Sequence, residues 1–181
     1  MALTATMFHF SVQLADMDRS VYEALTLRVA QQPSETRLFM LTRVLAYCLE
    51  YEEGIVFTEG VAATDEPAIV VRDLTGRVTH WIEVGAPDAE RVHRGSKLAG
   101  RAAVYTHRDP LALVRQYAEA RIHQAEAVPV YAFDREMLPL AAEALERRSS
   151  LALSVTEGHL YLDIDGKHFT SEIRRFNAAG A

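Results

Sequence analysis

Three carboxylates in the middle of the sequence are candidates for chemistry, because the predicted strands bring them together. Glu83 interrupts the apolar alternation of VTHWIEVG, and the pair Asp65 and Glu66 stands just before the strand AIVVRD. The turn residues LTGR join the two strands, so we predict a hairpin that carries the acidic pair towards Glu83. Carboxylates that share a site repel one another unless one takes up a proton or a cation holds both ionised.

Glu83 needs a partner in any case. Alternation places it on the same face of its strand as Trp81, and an unpaired ionised carboxylate inside a sheet is costly. The partner is either an arginine or a metal ion, and a hard cation such as Mg²⁺ or Mn²⁺ suits carboxylate oxygens. Asp65 and Glu66 are also consistent with a solvated loop before Pro67. The candidate metal ligands are therefore Asp65, Glu66 and Glu83.

The helix predicted after this strand carries a row of basic side chains. It begins at Pro87–Asp88 and extends to about Gly100. Steps of four, three and four residues place on one face Glu90, Arg94, Lys97 and Arg101. Such a row is either a solvated face or a phosphate contact, and in the second case Arg94 and Lys97 are the cations nearest the carboxylates.

The composition is typical of a globular chain, and we expect one domain over residues 1–181. Hydrophobic residues make up 49% of the sequence, and no window approaches the roughly 18 uninterrupted apolar residues of a membrane span. The sequence starts with alternation instead of a secretion signal, and its one cysteine, Cys48, excludes an internal disulfide. We therefore expect a cytoplasmic protein that does not enter the membrane. The net charge of −6 argues against non-specific coating of nucleic acid but allows a local basic surface.

The order of strands and helices predicts an α/β fold. A hairpin of ATMFHFSVQLAD and EALTLRVA comes first, and a helix follows that begins at Pro33–Ser34, with Ser34 as the candidate N-cap, and ends at Gly54. Strands and helices then alternate, and one of these helices begins at Asp109–Pro110, with Asp109 as the N-cap, and ends near Glu126. The meander LALSVTEG, HLYLDI and KHFTSEIRRF ends the chain. We expect one mixed sheet flanked by helices, with antiparallel hairpins at both chain ends. The oligomeric state is not predicted by these patterns.

Several motifs resemble a known family. PSET precedes the first helix, DEP precedes AIVVRD, and WIEVG is followed by PD and the basic helix. Over nearly the whole chain, these motifs resemble the YaeQ family of small bacterial proteins. The order of a helix, three strands with acidic groups on the second and third, a helix and a strand is also similar to the core of the PD-(D/E)XK nuclease superfamily. YaeQ proteins are regarded as a divergent branch of that superfamily.

The resemblance implies a restriction-endonuclease-like fold with two carboxylates that hold a divalent metal. Carried over, Asp65 or Glu66 matches the first acidic position, and Glu83 matches the acidic residue of the (D/E)-x-K strand. Two residues later, where that pattern has lysine, this chain has Gly85. Glycine offers no cation to the reaction, so the sequence departs from the pattern at this position.

The missing lysine requires another source of positive charge. Arg94 and Lys97 on the following helix are the candidates, although an arginine stays charged and is a poor proton donor. Glu35, near the start of the first helix, is either a further acidic member of the site or ordinary compensation of the helix dipole.

Two functions follow as hypotheses. The first is Mg²⁺- or Mn²⁺-dependent hydrolysis of phosphodiester bonds in DNA or RNA, with the carboxylates as ligands and Arg94 or Lys97 stabilising the developing charge. The second is a catalytically inactive relative that uses the same fold as a binding or regulatory module. Gly85 and the acidic net charge favour the second.

Overall fold

Two sheets are built from strands in which apolar and polar residues alternate. A computed structural model describes residues 3–59 and 65–180. Two compact units divide the chain, one of Met1–Leu41 with Phe133–Ile173 and one of Thr42–Ala132 with Arg174–Ala181. The single domain expected over residues 1–181 stays a prediction.

The described residues form eleven strands and four α-helices. In chain order they are β1 (Thr6–Asp16), β2 (Val21–Gln31), α1 (Arg37–Leu49), β3 (Ile55–Phe57), β4 (Ile69–Arg72), β5 (Val78–Val84), α2 (Ala89–Leu98), β6 (Arg101–Thr106), α3 (Pro110–Ala120), β7 (Pro129–Ala132), α4 (Met137–Glu143), β8 (Arg148–Thr156), β9 (His159–Ile164), β10 (Lys167–Glu172) and β11 (Arg174–Asn177). The result is a mixed α/β fold with two mixed sheets flanked by helices.

The first unit contains a five-stranded sheet in the order β10-β9-β8-β1-β2. β1 and β8 run parallel, and the other neighbouring strands run antiparallel. Alternation along β1 buries one set of side chains, Phe8, Phe10, Val12 and Leu14, and leaves the opposite face of the strand accessible to solvent. The hydrophobic face of this sheet therefore follows directly from the period-two pattern of the sequence.

The second unit contains a six-stranded sheet in the order β11-β7-β6-β5-β4-β3. The strands β5, β6 and β7 are parallel, and α2 and α3 connect them. Asp88 and Asp109 cap these helices, since their side chains accept the N–H groups of Arg91 and Leu111. Apolar residues of both helices pack with the sheet in one core that includes Trp81, Val92, Val104, Leu113 and Tyr117.

Gly95 on α2 allows the helix to lie directly against Trp81. A Cβ atom at Gly95 would lie 2.3 Å from Cδ1 of the buried indole. We expect Gly95→Ala to lower the free energy of unfolding by about 1–3 kcal/mol, although alanine is the better helix former at an open position. Urea unfolding measures the loss. Gly100→Ala is the control, because its nearest contact would be 3.8 Å from the Thr79 carbonyl oxygen, and an equal loss in both variants would contradict the packing argument.

Several helix boundaries differ from those expected. The first helix begins at Arg37 instead of Pro33–Ser34, because the Thr36 hydroxyl accepts the Phe39 N–H at 3.0 Å and takes the capping role assigned to Ser34. It ends at Leu49, before Gly54. The helix predicted from Asp109–Pro110 to about Glu126 ends at Ala120, because Arg121 adopts a left-handed conformation with φ of 54°.

The expectation of one mixed sheet is wrong, because the residues that the structure describes form two. The last segment, KHFTSEIRRF, was predicted as one strand, but it divides at Ile173 into β10 and β11. β10 pairs with β9 in the five-stranded sheet, whereas β11 pairs with β7 in the six-stranded sheet. A period-two pattern identifies a strand but does not specify its neighbour, so the division was not visible in the sequence.

Candidate functional site

The hairpin predicted around the acidic residues is confirmed. β4 and β5 pair antiparallel, with Ile69 opposite Ile82 and Val71 opposite His80. Glu83 follows Ile82 near the end of β5 and lies on the face of the strand that carries Trp81. The residues that precede β4 therefore lie at the same end of the hairpin as Glu83.

Glu83 is a buried carboxylate with two side-chain partners. Only 4% of the residue is exposed. Its Oε1 accepts hydrogen bonds from Trp81 Nε1 at 3.0 Å and from Arg91 Nε at 3.2 Å. Of the two partners considered for Glu83, the structure contains the arginine.

Burial controls the protonation of Glu83. Desolvation raises the pKa of its carboxyl group above the ordinary value, while the charge of Arg91 and the indole hydrogen bond of Trp81 lower it in part. The Asp88 carboxylate adds a further upward contribution to the pKa. Removal of Arg91 is therefore expected to raise the pKa of Glu83 further.

Arg91 joins the two sides of the hairpin end. The Asp88 side chain accepts the Arg91 N–H at 2.9 Å and thereby fixes the first turn of α2. From that turn the guanidinium donates through Nε to Glu83 and through Nη2 to the main-chain oxygen of Glu66 at 2.7 Å. Arg91 thus bridges a carboxylate and a carbonyl oxygen that the sequence predicted to be close together.

The side chains of the acidic pair contact other arginines. Asp65 is 92% exposed in its side chain, and its Oδ1 lies 3.6 Å from Arg94 Nη1. Glu66 Oε1 lies 3.7 Å from Arg72 Nη2. Both distances exceed those of good charge-assisted hydrogen bonds, so each pair contributes little to stability.

The predicted basic row is only partly confirmed. Arg94 and Lys97 lie on α2, and Lys97 is exposed. Arg101 is not on the helix, since α2 ends at Leu98 and Arg101 begins β6. Its guanidinium binds Glu50 through Nε at 3.0 Å and Nη2 at 2.7 Å, so Arg101 is not a member of a solvated basic row.

Glu50, which follows α1, is the centre of a polar cluster that sequence analysis missed. Glu50 is 4% exposed, and its Oε1 accepts the hydroxyl of the buried Tyr105 at 2.7 Å in addition to Arg101. The hydrogen bonds of Glu50 raise the pKa of Arg101, and burial raises that of Tyr105. Because Tyr105 pairs with Val84, this cluster lies on the face of the sheet opposite Glu83.

Gly85 has a conformational reason to be glycine. Its φ is 87°, in the left-handed region, and its N–H donates to the Tyr105 carbonyl oxygen at 2.8 Å. A lysine side chain at this position would be strained. The hydroxyl of Tyr117 fixes the same turn by donating to the Pro87 carbonyl oxygen at 2.7 Å. The departure from the lysine-containing pattern is therefore built into the backbone.

Glu35 belongs to a turn and not to the first turn of α1. Its Oε2 accepts the Gln32 N–H at 3.0 Å, and the residue is 6% exposed. α1 begins at Arg37 and has no acidic residue in its first turn, so Glu35 precedes the helix instead of starting it. Glu35 lies in the first unit, whereas Glu83 lies in the second.

The side chains around Glu83 contact arginines instead of one another. Within residues 3–59 and 65–180, no group of three or more His, Cys, Asp or Glu side chains is arranged to hold an ion. Arg91 stands between Glu83 and the Glu66 carbonyl oxygen, while Asp65 turns towards Arg94. In this arrangement the three predicted ligands do not converge on one point, so they do not fit Mg²⁺ or Mn²⁺.

The spacing of Arg91 in the sequence indicates its role, although Arg91 lies outside the predicted basic row. It lies three residues after the N-cap Asp88 and eight after Glu83, and a third-position side chain points back towards the helix start. Glu50 had no such signal, because its partner Arg101 is 51 residues away in the chain.

The fold and site define a mixed α/β protein with two mixed sheets and a buried glutamate, Glu83, paired with an arginine at the start of a helix. Residues 1–173 match the YaeQ protein family, and the chain belongs to that family. It is 31% identical over 166 residues to the uncharacterized protein YaeQ of Escherichia coli K12, a match that covers 91% of this chain and 92% of that protein. The YaeQ protein of Salmonella typhi is 30% identical over 163 residues, which are 90% of each chain.

Two crystal structures of YaeQ proteins have the same fold. The protein from Pseudomonas syringae is 30% identical, with a TM-score of 0.88 and coverage of 95% of this chain and 96% of that one. The protein from Xanthomonas axonopodis pv. citri is 26% identical, with a TM-score of 0.87 and coverage of 98% and 100%. Across the described parts of the chain, no helix combines the length and the apolar character needed to span a membrane.

Proposed function

We propose that this chain is a cytoplasmic nuclease-fold protein of the PD-(D/E)XK type that binds nucleic acid without cleaving it. The observation that carries the proposal is the position of Arg91, whose guanidinium bridges the Glu83 carboxylate and the Glu66 carbonyl oxygen. An anionic oxygen and a carbonyl oxygen are the kinds of atoms that coordinate a hard divalent cation. The arginine therefore supplies a fixed positive charge where a nuclease of this type uses a metal.

The chemistry of arginine supports a binding role. A guanidinium stays protonated at physiological pH, so it keeps a positive charge beside Glu83, but it carries no water that could attack phosphorus. Arg94 and Lys97 extend from the same helix with accessible side chains and provide phosphate contacts. The left-handed backbone of Gly85 supports the same conclusion, because the lysine of the catalytic pattern would be strained there.

The second candidate is a nuclease that depends on Mg²⁺ or Mn²⁺. One observation favours it: the hairpin places the backbone of Glu66 within reach of the same guanidinium as Glu83. Asp65, Glu66 and Glu83 would hold the metal, and Arg94 or Lys97 would be the cation beside it. This function requires Arg91 to leave Glu83 and the Glu66 carbonyl oxygen, and it requires the side chains of Asp65 and Glu66 to turn from their arginine partners towards Glu83.

A cleavage and binding experiment separates the two candidates. The full-length protein and its Glu83→Ala variant are incubated with labelled single- and double-stranded DNA and RNA in Mg²⁺, Mn²⁺ or EDTA. We expect binding that survives EDTA and weakens with salt, and no metal-dependent cleavage. Metal-dependent cleavage that is lost in Glu83→Ala would overturn the binding proposal and establish the nuclease.

Variants that remove positive charge from α2 or from α3 test whether α2 is the binding surface. Arg94→Ala combined with Lys97→Ala is expected to flatten the dependence of log K on log salt concentration by roughly 0.7–0.9 per lost phosphate contact. Arg115→Ala, an exposed arginine on α3, is the control and should leave the slope unchanged. Equal effects of the α2 and α3 variants would refute the assignment to α2.

A further inference from the structure

The five-stranded sheet of the first unit presents an accessible face whose residues follow from the strand register. We call it the open face, and it comprises the residues of β1 that alternate with the buried ones, His9, Ser11, Gln13 and Ala15, and their neighbours across the sheet. Each of these four residues is exposed or half-buried. Residues that are directly opposite in neighbouring strands share a face, so the register determines which side chains stand together.

A second group of basic side chains, which we call the arginine row, crosses one end of the open face. His9 on β1 is paired with Arg28 on β2 and with Arg148 on β8. Both arginines are exposed, and neither has a carboxylate within ion-pair distance among the described residues. Because neighbouring strands are about 4.8 Å apart, the arginines start roughly 10 Å from each other on either side of His9. Two exposed guanidinium groups in one row form a site for anions.

A row of hydroxyl groups comes next along the strands. Ser11 is paired with Thr26 on β2 and with Ser150 on β8. Together with His9 and Arg148 these residues line a depression of about 320 Å³. Its rim also contains Asp165, whose carboxylate accepts the Ser150 N–H at 2.8 Å and has a lowered pKa because of that bond. The depression is polar, with hydroxyl donors beside the guanidinium groups.

Two exposed tyrosines stand further along the same face. Ala15 pairs with Tyr22 on β2 and with Ser154 on β8, and Ser154 in turn pairs with Tyr161 on β9. Tyr22 is 62% exposed and Tyr161 is 48% exposed. Ala15 and Ser154 lie between them, and Tyr161 lines a depression of about 560 Å³. The small residues form a low floor between two rings that offer their surfaces to solvent.

We propose that the open face binds single-stranded nucleic acid, independently of the Arg91 site. Phosphates contact Arg28 and Arg148, and bases stack on Tyr161 and Tyr22, in the manner of aromatic residues on sheets that bind single strands. His9 stands in the arginine row and Ala15 stands in the row of the two tyrosines. These two residues are six positions apart along β1, which is roughly 20 Å at 3.3 Å per residue. That separation exceeds a single nucleotide and matches a strand of several nucleotides.

The charge of the arginine row and the accessibility of the two tyrosine rings favour single-stranded nucleic acid as the ligand. The positive charges of Arg28 and Arg148 stand together in one row on β2 and β8, whereas the open-face carboxylates of the strands lie on β9 and β10, where Asp163 contacts His168 at 2.8 Å and Glu172 pairs with His159. A duplex keeps its base faces stacked inside, where Tyr22 and Tyr161 cannot reach them. A single strand exposes both its phosphates and its base faces, and it therefore satisfies both rows at once.

Fluorescence anisotropy with labelled oligonucleotides tests the proposal. Single-stranded DNA and RNA of mixed sequence are titrated with the full-length protein at several salt concentrations, and the comparison of the two identifies which sugar is preferred. We expect Arg28→Ala with Arg148→Ala to reduce the salt slope by roughly 1.4, which is about 0.7 for each of two phosphate contacts. Tyr161→Ala should weaken binding roughly 5- to 150-fold, whereas Tyr161→Phe keeps the ring and the affinity.

Controls separate this site from the one on α2. Arg135→Ala, an exposed arginine outside the strands of the same unit, should leave affinity and salt slope unchanged, and thermal unfolding confirms that the variants are folded. Loss of binding in the open-face variants alone supports this inference and refutes the site on α2, and loss in the α2 variants alone does the reverse. Binding of a duplex as tight as that of a single strand, or unchanged binding after Tyr161→Ala, would overturn the inference.

Discussion

Replacement of Arg91 with alanine is expected to destabilise the protein strongly at neutral pH and weakly in mild acid. Glu83 is buried, so without Arg91 it must either stay charged and unpaired or take up a proton. For a carboxyl group with an unfolded pKa near 4.3, proton uptake at pH 7 costs about 4 kcal/mol, at about 1.36 kcal/mol per pH unit. This cost is the upper limit of the stability lost through the unpaired charge, because Glu83 takes up a proton when the charged form costs more. At pH 5 the limit falls to about 1 kcal/mol.

The sign of this pH dependence follows from the direction of the Glu83 shift. The pKa of Glu83 is raised on folding, chiefly by burial. A carboxyl group whose pKa is raised on folding contributes its full stabilisation below the unfolded pKa. This stabilisation is lost as the pH rises through the folded pKa. Arg91→Ala raises the folded pKa further, so the variant should lose more stability than the wild type between pH 5 and pH 7.

Urea unfolding of wild type, Arg91→Ala, Glu83→Gln and the double variant at both pH values measures the effect. The glutamine at position 83 needs no neutralisation, so the double variant should be more stable than Arg91→Ala at pH 7. A loss in Arg91→Ala that is equal at pH 5 and pH 7 would contradict the account. The result also bears on the proposed function, because it measures how strongly Arg91 stabilises the ionised Glu83.

Glu50→Ala is expected to lower the free energy of unfolding by about 2–4 kcal/mol, because it removes the buried partner of the half-buried Arg101 and an acceptor of the buried Tyr105 hydroxyl. Arg101 loses two hydrogen bonds, at 3.0 and 2.7 Å, and keeps its charge. Tyr105, which is 3% exposed, loses the acceptor of its hydroxyl group. Chemical denaturation at pH 7 gives the value directly.

Two milder variants divide the effect of Glu50 into its parts. Glu50→Gln keeps an acceptor for Tyr105 but removes the charge opposite Arg101, and it should cost less than alanine. Tyr105→Phe removes only the hydroxyl bond and should cost about 1–2 kcal/mol. A loss below about 0.5 kcal/mol in Glu50→Ala, as for an ordinary surface substitution, would show that the cluster does not stabilise the sheet.

The hairpin shows how far local pattern carries a prediction. The turn LTGR and the alternation on either side of it were enough to predict that the acidic pair approaches Glu83, and the pairing of Ile69 with Ile82 confirms the register. The caps at Asp88 and Asp109 were also readable, because a cap acts within three residues of its own helix. The partner of Glu83 was left open between an arginine and a metal, because alternation assigns a face but not a neighbour.

The sequence by itself determined the type and order of most strands and helices, the alternating faces of β1 and β5, the resemblance to the family and the position of Glu83 at the end of a hairpin. Only the tertiary structure decided that Arg91 bridges Glu83 and Glu66, that Glu50 binds Arg101, and that the last strand divides between two sheets. The physical reason is the separation along the chain of the residues that interact. Alternation, turns and caps act over a few neighbouring residues, whereas these contacts join residues 8, 25 and 51 positions apart and depend on how the elements pack.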